Sequence, residues 1–198
     1  VESVMDYQLA SSQLYNAPLY QRVPQSIGPR ARDLVAQWKS EIGRTSNYGP
    51  QIIDKALNYF RQQDFFYTKQ PPELPVDPID QFLFETRKGF CEHYASSFTI
   101  LMRLAGIPAR IVTGYQGGQM NTLGDYMIVR QSDAHAWSEV WLPTQGWVRI
   151  DPTSVIPATR VEQQVLQQRA VRNSTTRALD APWLERLWRN SRFAWDNI

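Results

Sequence analysis

The stretch "RKGFCEHYASSFTILMRLAGIPARIVTGY", residues 87–115, contains a change of periodicity that decides the fold. Its first half repeats small and apolar side chains at helical spacing, so that they share one side of a helix. The residues on that side are Cys91, Ala95, Phe98 and Met102. After Gly106 the pattern changes to a short run rich in Val, Ile and Tyr, which is typical of a strand. The stretch therefore predicts a helix that begins near Cys91 and leads directly into a β-sheet.

The segments after this helix predict an antiparallel sheet, because they are short, rich in Val, Ile, Tyr and Trp, and separated by turn residues. They are "PARIVTGYQ", "YMIVRQ", "AHAWSEVWL" and "GWVRID". Upstream, helical spacing predicts one helix over residues 29–43 and a second that begins near Pro50. We also expect a short strand at "DFFYT" and a short helix over "PIDQFLFETRKG" that Gly89 closes. Helices followed by strands indicate an α+β domain in which a helical layer packs on the antiparallel sheet.

The composition is that of one globular domain with extensions. The chain has 198 residues, of which 42% are hydrophobic and 12% are aromatic, and this is enough to bury one core. We expect an N-terminal arm over residues 1–27, a core over residues 28–157 and a helical extension rich in Arg and Trp over residues 158–198. Leu and Trp side chains share one stripe of that extension, which predicts a helix that docks either on the core or on a membrane interface.

Charge and cysteine content exclude some classes of protein. The formal net charge of +2 is too small to make a nucleic acid the expected partner, and the basic excess lies in the C-terminal tail. A single cysteine excludes an internal disulfide and leaves the redox compartment open. No apolar run approaches the roughly 20 residues that cross a bilayer, and no signal peptide is visible. The chain begins at Val1 rather than Met, which is compatible with a piece cut from a longer protein.

The single cysteine, Cys91, has three candidate roles: a small buried hydrophobe, a metal ligand or a nucleophile. The first turn of a helix aims unpaired N–H groups and about half a positive charge at the side chain, which lowers the pKa of a thiol. The same N–H groups can hold an oxyanion. A metal site is disfavoured because zinc sites use close pairs such as C-x-x-C, whereas Cys91 and His93 diverge on a helix. The position therefore favours a nucleophile, and we expect no metal.

A nucleophilic thiol needs a base, and the chain has two histidines. His93 follows Cys91 by two residues on the same helix, so its ring leaves about 200° around the axis and we expect a structural role. His135 lies on a predicted strand that the sheet can bring to the helix end. Asp151, at the end of "GWVRID", is the best candidate to orient His135 from a neighbouring strand. Asp133 is a local rival, which we expect to be solvated in a turn.

The series "GFC", "LMRLAGIPARIVTGY", "AHAWSEVWL" and "GWVRIDPT" resembles the core motifs of the transglutaminase-like superfamily. The resemblance covers residues 89–153, and the whole chain is most similar to the periplasmic domains of bacterial, membrane-anchored members. It implies a papain-like α+β fold in which Cys91 is the nucleophile, His135 the base and Asp151 the orienting carboxylate. It implies no cofactor and no metal, and the chain shows no acidic cluster like a calcium-binding loop.

Other matched positions have structural as well as functional explanations. Tyr115 and Trp137 are the predicted substrate-binding residues, Tyr115 as part of the cleft and Trp137 as a wall on the same strand face as His135. Packing across strands is the alternative for both. Arg110 is expected to be structural. The sequence around the nucleophile assigns only the Cys91 amide as an oxyanion donor and leaves the second donor open.

The resemblance implies acyl transfer. The thiolate would form a thioester from the side-chain carboxamide of glutamine, and a primary amine such as lysine would resolve it. The implied partners are a glutamine-containing protein or peptide and an amine donor, with no nucleic acid. The implied location is the bacterial periplasm, on a domain tethered to the inner membrane through segments outside this chain. Two alternatives stay open: a cysteine hydrolase, either deamidase or protease, and a non-catalytic module that binds a peptide or cell-wall partner.

Overall fold

The computed structural model describes residues 14, 16–43, 45–121 and 124–162. The helix predicted in the C-terminal extension lies outside the described residues, as does the first half of the predicted N-terminal arm. Within the described ranges, no helix has both the length and the apolar character needed to span a membrane.

The helices precede the main sheet, as predicted. They are α1 Ala17–Tyr20, α2 Pro29–Ile42, α3 Tyr48–Gln62, α4 Pro78–Asp80 and α5 Cys91–Leu104, with a π-helical turn, Gln81–Thr86, directly after α4. The start and stop of α2 are confirmed: Pro29 occupies the first turn, and Gly43 ends the helix with a φ of 68° that favours glycine. The short helix expected to close at Gly89 instead ends at Thr86, and the next residue, Arg87, adopts a left-handed conformation with a φ of 50°.

A buried carboxylate holds the start of α2. The side chain of Asp80, which is 5% exposed, accepts hydrogen bonds from the backbone N–H groups of Arg30 at 3.0 Å and Ala31 at 2.9 Å. Gly28 fits immediately before the helix because a Cβ there would lie 2.0 Å from Oδ2 of Asp77 and 2.2 Å from Oδ2 of Asp80. Asp80 therefore fastens α4 to α2 and orients the chain that leads to α5.

The strands form one sheet and two smaller pairs. They are β1 Phe66–Tyr67, β2 Lys88–Gly89, β3 Ala109–Tyr115, β4 Gln119–Asn121, β5 Tyr126–Ile128, β6 Ala134–Leu142 and β7 Gly146–Ile150. The main sheet is antiparallel with the order β3-β6-β7, while β1 pairs in parallel with β2, and β4 pairs with β5. The expectation that "YMIVRQ" joins the main sheet is therefore wrong. Tyr126 and Met127 are 54% and 53% exposed, so β5 lacks the buried face that would hold it there.

The helix α5 packs across the sheet and carries Cys91 against β6. The Ser138 hydroxyl, on β6, donates to the carbonyl oxygen of Ala95 at 3.0 Å. It also lies 3.0 Å from the hydroxyl of Thr99, so that both buried hydroxyls have partners. These bonds fix the position of the helix along the strand. The predicted α+β architecture, with the Cys91 helix packed on an antiparallel sheet, is confirmed.

Candidate active site

Cys91 is the first residue of α5 and directly follows the extended Phe90. The turn is completed by His93, whose Nδ1 accepts a hydrogen bond from the Phe90 N–H at 3.4 Å and whose ring packs 5.6 Å from that of Phe82. Burial lowers the pKa of His93, although the charge of Glu92 opposes it. A neutral imidazole can accept the Phe90 bond, and these contacts are those expected of a structural histidine, a role that stays a prediction.

His135 and Asp151 come together from neighbouring strands. His135 lies in β6, Asp151 directly follows β7, and Nε2 of the imidazole is 2.6 Å from Oδ2 of the carboxylate. The other carboxylate oxygen, Oδ1, accepts the backbone N–H of Thr153 at 3.0 Å and its hydroxyl at 2.7 Å. Thr153 thus fixes the carboxylate, a role that sequence reasoning missed. The available signal was the order Asp-x-Thr, because an aspartate that opens a turn commonly accepts from the residue two further on.

The thiol of Cys91 has neighbours from three parts of the chain. The groups near enough to lower the pKa of the thiol are the side chain of His135, the backbone N–H of Ala136 and the hydroxyl of Tyr67. Because Nε2 of His135 is bonded to Asp151, Nδ1 is the nitrogen that faces the thiol. Cys91 is 8% exposed, so these groups replace most of the water around the sulfur.

These contacts favour a thiolate beside an imidazolium. Burial acts to raise the pKa of the Cys91 thiol, but the hydrogen bonds from His135, Ala136 and Tyr67 and the charge of His135 outweigh it and hold that pKa below its usual value. Burial acts to lower the pKa of His135, whereas the hydrogen bonds to Asp151 and Cys91, with their charges, raise it to about 9. Burial likewise acts to raise the pKa of Asp151, but His135 and Thr153 hold it below its usual range. The three shifts together favour a thiolate, an imidazolium and a carboxylate in line.

Tyr67 is the neighbour of the thiol that the sequence analysis did not single out. It lies on β1, is 7% exposed, and pairs in parallel register with Gly89, two residues before Cys91. The stretch "DFFYT" indicated a strand but not its partner. A parallel pair of two-residue strands carries no local sequence signal for its register, so the contact could not be found from periodicity.

Trp137 lies beside the imidazole of His135. The two rings are nearly parallel, at 24°, with centroids 6.3 Å apart, and the guanidinium of Arg149 lies 4.0 Å from the indole centroid. A Cβ at Gly114 would meet the indole at 2.9 Å, so the ring lies over that glycine. Among the described residues the indole Nε1 is buried without a hydrogen-bond partner. The structure therefore brings this predicted residue to the His135 side of the site.

Tyr115 lies at the end of β3, opposite Ala134, the residue before His135. Its side chain is 56% exposed, and its hydroxyl lies 3.5 Å from Oε1 of Gln131. The structure thus places Tyr115 on the exposed surface, opposite the residue that precedes His135. This position does not require a contact between Tyr115 and the thiol.

The rival carboxylate, Asp133, and Arg110 both have hydrogen-bond partners nearby. Asp133 is 8% exposed, and its Oδ2 accepts the backbone N–H of Arg130 at 2.9 Å, so the expectation that it is solvated is wrong. It caps the short 3₁₀ turn before β6. Arg110 has the expected structural contacts, with Nε 2.8 Å from Oε2 of Glu139 and its guanidinium carbon 4.2 Å from the Trp147 ring centroid.

A separate cavity of about 430 Å³ lies between the proline-rich loop and the outer side of α5. Its wall includes Leu74, Phe82, Glu92 and His93, but not the thiol, imidazole or carboxylate described above. Within the described part of the chain, no group of three His, Cys, Asp or Glu side chains is arranged to hold a metal ion.

Comparison with known proteins places this geometry in a family. Residues 36–152 match the model of the transglutaminase-like superfamily. The chain is 41% identical over 186 residues to a protein-glutamine gamma-glutamyltransferase of Pseudomonas aeruginosa, covering 89% of this chain and 26% of that protein. It is 35% identical over 141 residues to the uncharacterized protein YebA of Bacillus subtilis, covering 68% of this chain and 19% of that protein.

Solved structures agree. The periplasmic domain of TgpA from Pseudomonas aeruginosa is 40% identical with a TM-score of 0.67, covering 73% of this chain and 49% of that domain. The same domain bound to ethylmercury is 41% identical with a TM-score of 0.65, covering 73% of this chain and 50% of that one. The chain therefore spans about half of the solved domain and 26% of the curated relative.

Proposed function

This chain belongs to the transglutaminase-like superfamily, and from that membership we propose that it is a cysteine acyltransferase acting on glutamine side chains. Cys91 takes the acyl group from the side-chain carboxamide as a thioester and passes it to a primary amine. The observation that carries the proposal is the contact of 2.6 Å between Nε2 of His135 and Oδ2 of Asp151, which leaves Nδ1 facing the thiol at the start of α5.

The first half-reaction uses the ion pair. The thiolate of Cys91 attacks the carboxamide carbon, and the carbonyl oxygen becomes an oxyanion held by N–H groups at the helix start. His135 gives its Nδ1 proton to the departing nitrogen, so that ammonia leaves and a thioester and a neutral imidazole remain. Asp151 keeps the ring in the orientation required for this transfer.

The second half-reaction restores the ion pair. A neutral primary amine attacks the thioester and gives a proton to Nδ1 of His135, and the Cys91 sulfur leaves as a thiolate. The products are an isopeptide bond and an enzyme ready for the next cycle. Trp137 is proposed to exclude water on the His135 side, since its ring lies 6.3 Å from the imidazole, and Tyr115 is proposed to contact substrate at the exposed end of β3.

The names of the relatives support a proposal for the cellular setting. One is named a protein-glutamine gamma-glutamyltransferase and one is titled a periplasmic domain. We propose that this chain likewise works in the periplasm, as a domain whose core is residues 28–157, tethered to the inner membrane through segments outside the sequence given. Its substrates are then proteins or peptides that present glutamine and a primary amine.

The test is incubation of the protein with a glutamine-containing donor peptide and excess primary amine, followed by mass spectrometry of the glutamine. We expect the mass of the incorporated amine, with loss of ammonia. Conversion to glutamate alone would make the protein a deamidase, and a cleaved backbone would make it a protease. Absence of any product, together with an unreactive Cys91, would identify a binding module.

The two histidines supply matched control variants. His135→Ala and Cys91→Ala should each abolish turnover, and the double variant should be no worse, because the pair acts as a unit. His93→Ala removes the same side chain from the opposite side of the helix start and should have a mild effect. A large selective loss in folded His93→Ala protein would reverse the assignment of the base.

A further inference from the structure

The backbone of Tyr67 is held on both sides. On one side β1 pairs with β2, so that the Thr68 N–H donates to the carbonyl oxygen of Gly89 at 2.9 Å. On the other side Tyr67 bridges to Val161, and its carbonyl oxygen accepts the Glu162 N–H at 2.9 Å. A two-residue strand is marginally stable by itself, but these contacts hold Tyr67 beside Gly89, two residues before Cys91.

The ring of Tyr67 is fixed by packing. It stacks on the ring of Tyr94, with centroids 6.1 Å apart and planes at 19°, and Tyr94 is fully buried at 0% exposure. Tyr94 belongs to α5, the same helix that begins with Cys91. The helix that carries the thiol therefore also orients the Tyr67 ring, and the pairing with Gly89 holds that ring close to Cys91, where its hydroxyl acts to lower the pKa of the thiol.

The partners of the sulfur differ in what they can do after attack. Once the sulfur has bonded to a carbonyl carbon, the negative charge moves to the neighbouring oxygen. The proton of His135 is then needed by the departing amine. The Ala136 N–H is held by the β3–β6 pairing and cannot turn. The hydroxyl of Tyr67 can rotate about its C–O bond, so its hydrogen bond can move from the sulfur to that oxygen.

We propose that Tyr67 is a catalytic residue whose hydroxyl donates to the Cys91 thiolate in the free enzyme and to the carbonyl oxygen of the tetrahedral intermediate. Together with the backbone N–H of Cys91 it forms the oxyanion hole, so it is the second donor that the sequence leaves open. No proton is transferred from tyrosine, and only its hydrogen-bond acceptor changes. The inference rests on the proposed acyl transfer by Cys91, but it applies to any reaction of this thiolate with a carbonyl group.

The experiment compares two reactions of Cys91 in Tyr67→Phe protein. Alkylation by iodoacetamide consumes the thiolate without forming an oxyanion, whereas acylation by p-nitrophenyl acetate or a glutamine donor peptide passes through one. We expect acylation at the pH plateau to fall by about 10²-fold or more, the loss usual for one oxyanion donor. Alkylation at its own plateau should stay within a few-fold of the parent, with its acid limb moved to higher pH.

Tyr48→Phe is the matched control. Its hydroxyl donates to the carbonyl oxygen of Ala105 at 2.8 Å, at the far end of α5, so this variant loses a tyrosine hydrogen bond without touching the thiol. Both rates should match the parent. Phe at position 67 keeps the ring stacked on Tyr94, and thermal unfolding checks that the variant is folded.

The outcomes separate the two proposals. Equal losses of alkylation and acylation in Tyr67→Phe would make Tyr67 a structural residue only, and unchanged acylation would also overturn its role. If the parent is acylated by the ester but incorporates no amine, transamidation fails while the ester reaction still measures the Tyr67 effect. A parent that is alkylated but acylated by neither probe overturns the oxyanion hole.

Discussion

At the scale of single residues, the charge of the proposed nucleophile depends on groups from distant parts of the chain. The pKa of the Cys91 thiol is lowered by His135, by the N–H of Ala136 and by the hydroxyl of Tyr67. Burial alone would raise the pKa of this thiol, and the pKa lies below its usual value because the partners outweigh desolvation. The removal of one partner should therefore shift the titration of the others.

The opposite pKa shifts of the two histidines give a first prediction. By NMR titration of the imidazole protons, His135 should titrate at about 9 and His93 below its ordinary value of about 6.5. In Cys91→Ala protein the His135 pKa should fall, because a hydrogen bond and a negative charge are lost, while that of His93 should not move. Two histidines that both titrate near 6.5 in the parent would contradict the ion pair.

The same shift sets the sign of two pH effects. Turnover needs thiolate and imidazolium together, so kcat/KM should be constant from above the lowered thiol pKa up to about 9 and fall beyond it. The His135 pKa is raised above its unfolded value, so its contribution to stability is complete below about 6.5 and is lost as the pH rises through about 9.

Asp151→Asn tests the orienting carboxylate. Asn keeps the size of the side chain but has only one oxygen. The carboxylate of Asp151 has two, one in contact with His135 and one with Thr153. The corresponding change in a serine triad costs about 10⁴ in turnover, and we expect a smaller loss here, because a preformed thiolate depends less on its carboxylate. Asp133→Asn is the control, since the carboxylate of Asp133 accepts a hydrogen bond from the N–H of Arg130. Rates for Asp151→Asn within about twofold of the parent would remove Asp151 from the triad.

At the scale of secondary-structure elements, the sequence predicts what is local and misses what pairs at a distance. The bounds of α2 and the start of α5 follow from Pro29, Gly43 and the helical spacing after Cys91. The same spacing and strand order led to His135 and Asp151, whose contact at 2.6 Å is observed and whose catalytic roles remain predictions.

The misses have a common physical cause. Each miss depends on a second segment: β5 pairs with β4, the carbonyl oxygen of Asp133 accepts the Gln116 N–H, and Tyr67 lies near the thiol because β1 pairs with β2. Side-chain periodicity reports which face of a segment is buried, but not which segment covers it. The residues around Asp133 are typical of a turn, and a turn can be either solvated or buried. Composition alone therefore could not predict that Asp133 is buried.

Asp80→Ala tests whether the helical layer depends on its buried cap. The carboxylate accepts two N–H groups at the start of α2, so its loss should destabilise the fold by about 1–2 kcal/mol. Turnover per folded molecule should not change, because α2 supplies no group to the thiol. Denaturant unfolding and active-site titration measure the two effects. Asp54→Ala, at an exposed position of α3, should change stability by less than about 0.5 kcal/mol.

At the scale of the whole molecule, the outcome of the proposed reaction depends on which nucleophile reaches the thioester. Water is abundant, so an amine can win only if the site orients it and limits water. The indole of Trp137 is held between the Arg149 guanidinium and Gly114 and presents an apolar surface beside His135, the proposed base. The Trp137 ring is therefore positioned both to orient an amine and to limit the access of water.

Trp137→Ala should therefore shift the products from transamidation towards hydrolysis. The parent is expected to form more amine adduct than glutamate, and the adduct-to-glutamate ratio should fall by about threefold or more in the variant, since positioning and exclusion of water are lost together. Trp147→Ala is the matched control: that indole packs against Tyr20, with centroids 4.9 Å apart, and should leave the ratio unchanged. Mass spectrometry of one donor peptide with a fixed amine concentration gives both products. An unchanged ratio in Trp137→Ala, with turnover retained, would show that the choice between amine and water is made elsewhere in the cleft.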